Sequence, residues 1–281
     1  GRDIVMGNRC KGGIRPGAMP WKNKHIGNPI LSRIGKVFFG CPVGDFHCGM
    51  RGFSRAAFDR LHLQTTGMEF ASEMVIKATL LGMTFSEVPT TLDKDGRTRP
   101  PHLRPWRDGW RHLRFMLLYS PRWLFLYPGA AVCVLCLLVG AILLGGPVFI
   151  TRNVVLDVHT LLVAFAGVLL GFQAVAFFVC ARAYALNEGL LPSDPLVERA
   201  FSLLKLENGL AFGALLFLLG FGAIGYTVLT WYHAGFGPLD TQQTLRSAIP
   251  GVTGICLGGQ IVLLSFLLRF IGLKRRRQQT P

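Results

Sequence analysis

Gly44-Asp45-Phe46-His47-Cys48-Gly49-Met50-Arg51-Gly52-Phe53 places one acid, one arginine and three glycines between helix-like segments. The glycines allow tight turns or close approach of the backbone to a ligand, and Asp45 and Arg51 bring opposite charges into one short strand-like run. Taken alone, the two charges also fit a structural ion pair in a turn. Ahead of this run, Ile4-Val5-Met6 reads as a strand ending in the turn Gly7-Asn8-Arg9, which would project Arg9 from a sheet edge into a cleft. Cys10 to Pro20 reads as a loop. Behind the run, Arg55 to Leu63 and Glu69 to Leu81 read as helices, the second burying Phe70, Met74, Ile76 and Leu80. Glu69 and Glu73 lie four apart on one helical face and are read as partners for nearby arginines in preference to an acid–base pair. Met83 to Leu92 reads as a final strand, with Pro89 suited to an edge.

The rest of the chain is membrane-like. Hydrophobic residues make up 51% and charged residues 16%, with a mean hydropathy of +0.41, too apolar for an ordinary soluble domain. Leu124 to Gly145, Val158 to Ala181, Leu210 to Tyr232 and Ile249 to Leu268 contain no Lys, Arg, Asp or Glu, and each meets the requirement of about 20 apolar residues for a bilayer crossing. Of the net charge of +15, residues 1–122 carry +11. That distribution fits a face handling anionic headgroups and substrates better than one binding nucleic acid. Lys and Arg cluster before the first span, between the second and third, and after the fourth, while the opposite connections carry only Arg152 and Arg246. The positive-inside rule then puts both termini in the cytoplasm.

Leu103, Trp106, Trp110, Leu113 and Leu117 recur at helical spacing beside Arg104, Arg107, Arg111 and Arg114, the pattern of an interfacial helix. A second such helix is expected from Asp194-Pro195 onward, an N-cap followed by a first-turn proline. Of the seven cysteines, Cys133 and Cys136 have metal-ligand spacing but sit in an apolar helix with no second pair nearby. They read as packing residues, since zinc sites need about four ligands. The thiols are expected to be reduced.

GDFHCGMRGF (residues 44–53), preceded by the strand-like DIVMGNR and followed by GMEFASEMVIKA and four apolar spans, resembles the membrane-attached family 2 glycosyltransferases that glycosylate polyprenyl phosphates. The dolichol-phosphate mannosyltransferase-like type fits best. The resemblance implies an α/β plus membrane α fold: the C-terminal half of a Rossmann-like nucleotide-diphospho-sugar transferase domain, then four transmembrane helices. On that map, residues 1–101 belong to the cytosolic domain, 102–122 to the interfacial helix, 123–273 to the membrane domain and 274–281 to a basic tail. The family's N-terminal half, with its Asp-X-Asp metal motif, is missing from this sequence. The chain therefore reads as a truncated fragment, inactive alone.

The resemblance also implies the chemistry, an inverting transfer of a sugar from a nucleotide-sugar donor to polyprenyl phosphate at the cytoplasmic membrane face. Asp45 is the implied catalytic carboxylate, orienting or deprotonating the acceptor. Arg9 contacts the donor diphosphate, and Arg51, Arg97, Arg99 and Lys24 contact the acceptor phosphate or close the site. Lys24 fits equally a plain amphipathic packing helix over Trp21 to Phe39, broken near Pro29. A divalent cation, Mg or Mn, is implied for the complete enzyme, with no metal ligand in this chain. The partners are a nucleotide sugar, a polyprenyl phosphate lipid and the membrane, with no nucleic acid; a homo-oligomer is compatible with this. Two rivals remain. A processive polysaccharide synthase resembles a Gln-X-X-Arg-Trp signature, but Tyr119 stands where that Gln would precede Arg122-Trp123. A non-enzymatic transporter or scaffold explains the spans but not residues 44–53.

Overall fold

A computed structural model describes residues 1–94, 96, 105–188 and 206–277. It divides into two compact units, Gly1–Trp123 and Leu124–Pro281. Arg97, Arg99 and the connection around Asp194 lie outside the described residues.

In the first unit, β1 (Ile4–Asn8) forms where the hydrophobic pattern predicts, with Ile4 and Met6 fully buried. It is the middle strand of a sheet ordered β2-β1-β3, antiparallel to β2 (Arg51–Phe53) and parallel to β3 (Phe85–Pro89). The register sets Met6 between Arg51 on one side and Glu87 on the other. Only the last three residues of the 44–53 run are strand, so Asp45 sits in a loop rather than beside Arg51 in one strand. The unit is mostly helical. Three short strands do not by themselves make a Rossmann-like half.

Where a loop is expected after β1, a one-turn helix, α1 (Arg9–Gly12), follows directly, capped by the Asn8 side chain accepting the Lys11 N–H at 3.0 Å. Residues Asn23–Gly27 form a π-helical turn that runs into α2 (Asn28–Phe39). The wide turn comes just before Pro29, which has no N–H to donate back into it. The helix therefore continues through the proline instead of breaking. α3 (Arg55–Leu61) starts at Ser54, whose hydroxyl accepts the Ala57 N–H.

In α4 (Met68–Leu80), Met74 and Ile76 are buried as expected, but Phe70 is 36% exposed. Glu69 accepts a two-pronged contact from Arg111 at 2.9 and 3.1 Å, as its reading as an arginine partner anticipates. Glu73 instead pairs with Lys77 of its own helix at 2.7 Å and accepts the Gln64 and Thr65 N–H groups and the Thr65 hydroxyl. A fully buried carboxylate needs its acceptor sites filled, and this set fills them. α5 (Pro105–Tyr119) carries, besides the Trp–Leu and Arg stripes, a further face at 112, 115 and 116 that is buried in the core beside Met74 and Ile76. Trp110 and Leu118 are left outside, and Arg111 is committed to Glu69 rather than to lipid.

In the second unit, the spans foreseen are present. Among the described residues four helices are long and apolar enough to cross a membrane: Arg122–Leu144, Val158–Asn187, Leu206–His233 and Thr241–Gly272. They comprise a π-helical turn at Arg122–Leu126 leading into α6 (Tyr127–Leu144), then α7 (Val158–Asn187), α8 (Leu206–His233) and α9 (Thr241–Arg277). Apolar side chains such as Leu135, Leu170 and Leu263 point outward, as a hydrocarbon solvent allows. Helices α8 and α9 touch backbone to backbone at Gly213 and Gly258, the close approach small residues permit in membranes. An unforeseen hairpin, β4 (Val148–Thr151) with β5 (Val154–Leu156), links α6 to α7.

Asp157, at the start of α7, accepts from Arg246 of α9 at 2.5 Å, both side chains being about four-fifths buried. Arg246→Ala is expected to destabilise the detergent-solubilised protein by roughly 1–3 kcal/mol, because Asp157 is left without its donor. Thermal unfolding checks this, and the double variant Asp157→Asn/Arg246→Ala should recover part of the loss. No recovery would mean that the two side chains are not coupled.

Candidate active site

The loop at residues 44–50 is held from four sides. On α2, the Ser32 hydroxyl accepts the Phe46 N–H at 3.3 Å, and the Phe46 ring lies so close to Gly35 that an added Cβ would come within 2.8 Å of it. From β3, Glu87 accepts the Gly44 N–H at 2.5 Å, the Asn8 amide at 3.0 Å and Lys11 Nζ at 2.7 Å. Burial alone would raise the Glu87 carboxyl, but these donors outweigh it and hold it low. From β2, Arg51 donates to the carbonyls of Cys48 at 2.9 Å, Phe46 at 3.2 Å and Ala71. The fourth hold is Arg9.

Arg9 grips Asp45 with both prongs of its guanidinium, Nε to Oδ2 at 2.6 Å and Nη2 to Oδ1 at 2.8 Å, and its backbone N–H also reaches Oδ2 at 3.1 Å. Asp45 is 3% exposed. Burial would push its carboxyl up, but the hydrogen bonds and charge of Arg9 win and hold it below the usual carboxylate range; the same pairing raises Arg9. A carboxylate so held is a poor proton acceptor. Both its oxygens are taken up by the Arg9 guanidinium. Next door, burial pushes His47 down to about 3, with the neighbouring His112 ring at 4.8 Å adding to the effect. His47 is a neutral wall of the loop.

Arg9 and Asp45 open onto a cavity of about 270 Å³ whose other lining includes Lys24, Ser32, Arg33 and Lys36. Lys24, Arg33 and Lys36 are exposed, and none of the three has an ion-pair partner among the described residues. The structure thus brings together Arg9, Lys24 and Asp45. It places Arg51 apart, its guanidinium spent on backbone carbonyls. Arg33, Lys36 and Glu87 are the site residues that sequence reading passes over. A usable signal for the first two existed, since 29, 32, 33 and 36 recur at helical spacing as one face of α2. For Glu87 none did, because its three partners lie 43 to 79 residues away.

Among the described residues, no group of three or more His, Cys, Asp or Glu side chains could hold a metal ion, and the cavity's carboxylate has both oxygens on one guanidinium. These described residues do not fit a divalent-ion site.

Residues 179–272 match the glycosyltransferase family 2 C-terminal transmembrane region. Over 270 residues the chain is 34% identical to the low-salt glycan biosynthesis hexosyltransferase Agl6 of Haloferax volcanii, covering 96% of this chain. The likeness is to the family 2 glycosyltransferases, in their C-terminal part. It spans 63% of the length of that curated relative. With the matched membrane region and four membrane-length helices, this chain is an integral membrane protein. The cationic cavity lies in the other unit, outside the stretch matched by the family's membrane region.

Proposed function

We propose that this chain carries the acceptor side of a hexosyltransferase that moves a sugar from a nucleotide sugar to a polyprenyl phosphate at the cytoplasmic membrane face. The observation that carries the proposal is the cavity itself: a fixed Arg9–Asp45 pair and three cations without ion-pair partners among the described residues, facing one space on a chain with membrane-length helices. A phosphate monoester has its second pKa near 6, so near neutrality the acceptor already presents a nucleophilic oxygen and needs no strong base. That matches an Asp45 whose proton affinity is lowered. In the step proposed, an acceptor phosphate oxygen forms the new bond to the anomeric carbon with inversion. The bond to the donor diphosphate breaks, and its electron pair leaves with the nucleoside diphosphate. Two anionic groups must be brought close together, which is work for arginines and lysines.

In this reading Arg9, held in place by Asp45, meets the donor diphosphate. Lys24 meets the acceptor phosphate, and Arg97 and Arg99 close over the pair. The three-stranded sheet is one end of a larger nucleotide-sugar sheet, and any divalent ion on the donor is held by residues other than those described. The 281-residue chain alone is then expected to be inactive.

The test is made on the full-length protein, purified in detergent with polyprenyl phosphate and a panel of nucleotide sugars. Mass spectrometry should find a glycosyl polyprenyl phosphate, and the anomeric configuration should be opposite to that of the donor. Transfer to a growing polysaccharide with no lipid-linked monosaccharide would replace this reading with the processive one.

A further inference from the structure

Between Asp3 and Asp45 the chain has no acidic residue and seven Lys or Arg, two of which, Arg33 and Lys36, lie on α2. Three apart on a helix, they sit on neighbouring turns of one face, and both line the cavity beside Arg9 and Asp45. About 70° around the same helix, and reaching back into the π-helical turn before it, runs a different stripe. Ile26, Ile30 and Val37 are 46 to 53% exposed, and this spacing also keeps them on one face. Ser32 and Gly35 of the same helix are buried against Phe46. α2 therefore shows three faces, one gripping the loop, one cationic and turned to the cavity, one apolar and uncovered.

We infer that Arg33, with Lys36, is the principal ligand of the acceptor phosphate, a role that sequence resemblance gave to Arg51 together with Lys24, Arg97 and Arg99. This rests on the function proposed above. Arg51 has its guanidinium donors on three backbone carbonyls and cannot also fork a phosphate without releasing the loop. Arg33 is exposed, has no ion-pair partner among the described residues, and has the planar fork that grips a phosphate in two places. The adjoining apolar stripe gives the geometry its direction. A lipid whose chain lies along Ile26, Ile30 and Val37 brings its phosphate to the cationic face next to them and faces Asp45 and Arg9 across the cavity. Lys36, a compact point charge, adds attraction without the fork.

The experiment uses the full-length enzyme with two acceptors: a long polyprenyl phosphate in vesicles and a short, water-soluble prenyl phosphate. Arg33→Ala should raise KM for both acceptors by roughly tenfold to a hundredfold, with KM for the nucleotide sugar and kcat at saturating acceptor changed less than threefold. Arg33→Lys should recover part of the loss, and Lys36→Ala should give a smaller rise in acceptor KM. Because Arg33 is exposed, unfolding temperature should hold, and a matched thermal scan verifies it. An unchanged acceptor KM in folded Arg33→Ala enzyme overturns the inference while leaving the proposed function standing. A rise confined to vesicles also overturns it, since it would make Arg33 a membrane-surface contact. Wild-type enzyme that transfers no sugar to either acceptor would instead overturn the function on which the inference rests.

Discussion

Arg9→Ala in the full-length enzyme is expected to lose both turnover and stability, and the two losses should separate in a double variant. The guanidinium is the partner of a carboxylate that is only 3% exposed. Removing it leaves a buried charge unpaired, at a cost of roughly 3–5 kcal/mol. Removing a positioned cation from a developing diphosphate leaving group costs a further factor of about 10² to 10³ in kcat. Arg9→Ala/Asp45→Asn removes the stranded charge and should regain much of the stability while staying inactive. Thermal unfolding and single-turnover transfer, measured on both variants and on Asp45→Asn alone, form the complete cycle. Turnover restored in the double variant would show that Arg9 serves only to neutralise Asp45.

The same pair makes a statement about pH. Because Asp45 is lowered in the folded protein, its stabilising contribution is complete above the ordinary carboxylate range. It is lost only as pH falls through the lowered value. Asp45 therefore does not titrate near neutrality. Any rise in acceptor use through about pH 6 is assigned to the second ionisation of the acceptor phosphate. Folded Asp45→Asn enzyme should keep that rise at a lower plateau. Loss of the pH dependence in this variant would make Asp45 a base.

Arg51→Ala should behave as a folding defect rather than as an acceptor-binding defect. Three backbone carbonyls, at Phe46, Cys48 and Ala71, lose a charged donor. The Ala71 carbonyl keeps its intrahelical donor, but those of Phe46 and Cys48 lie in the loop, and each buried acceptor left unsatisfied costs about 1–3 kcal/mol, a large share of the stability of an ordinary domain. Low extracted yield and a lowered unfolding temperature are expected, and Arg51→Lys should rescue little, since an ammonium cannot span three carbonyls set around a planar fork. A well-folded Arg51→Ala enzyme with acceptor KM raised tenfold or more would return Arg51 to the phosphate.

Features whose physical cause is local were legible in the sequence. A bilayer crossing needs length and apolarity within one segment, so Leu124 to Gly145 and its three counterparts are found where composition puts them. The burial of Ile4 and Met6 follows from an apolar strand beside glycine-rich turns, and Glu69 found an arginine as helical spacing and charge suggested. Residues 44–53 form a loop and a short strand, as their glycines allow. Partner choice was not legible. Asp45 and Arg51 are six apart and of opposite charge, yet Asp45 pairs with Arg9, 36 residues away, and Arg51 turns to backbone carbonyls, one of them 20 residues away. Which donor meets a buried carboxylate depends on which elements pack together, here on β1 lying between β2 and β3 and on Phe46 seating against Gly35. Arg33 and Lys36 look like two more charges on a basic helix until that packing turns their face to the cavity of Arg9 and Asp45.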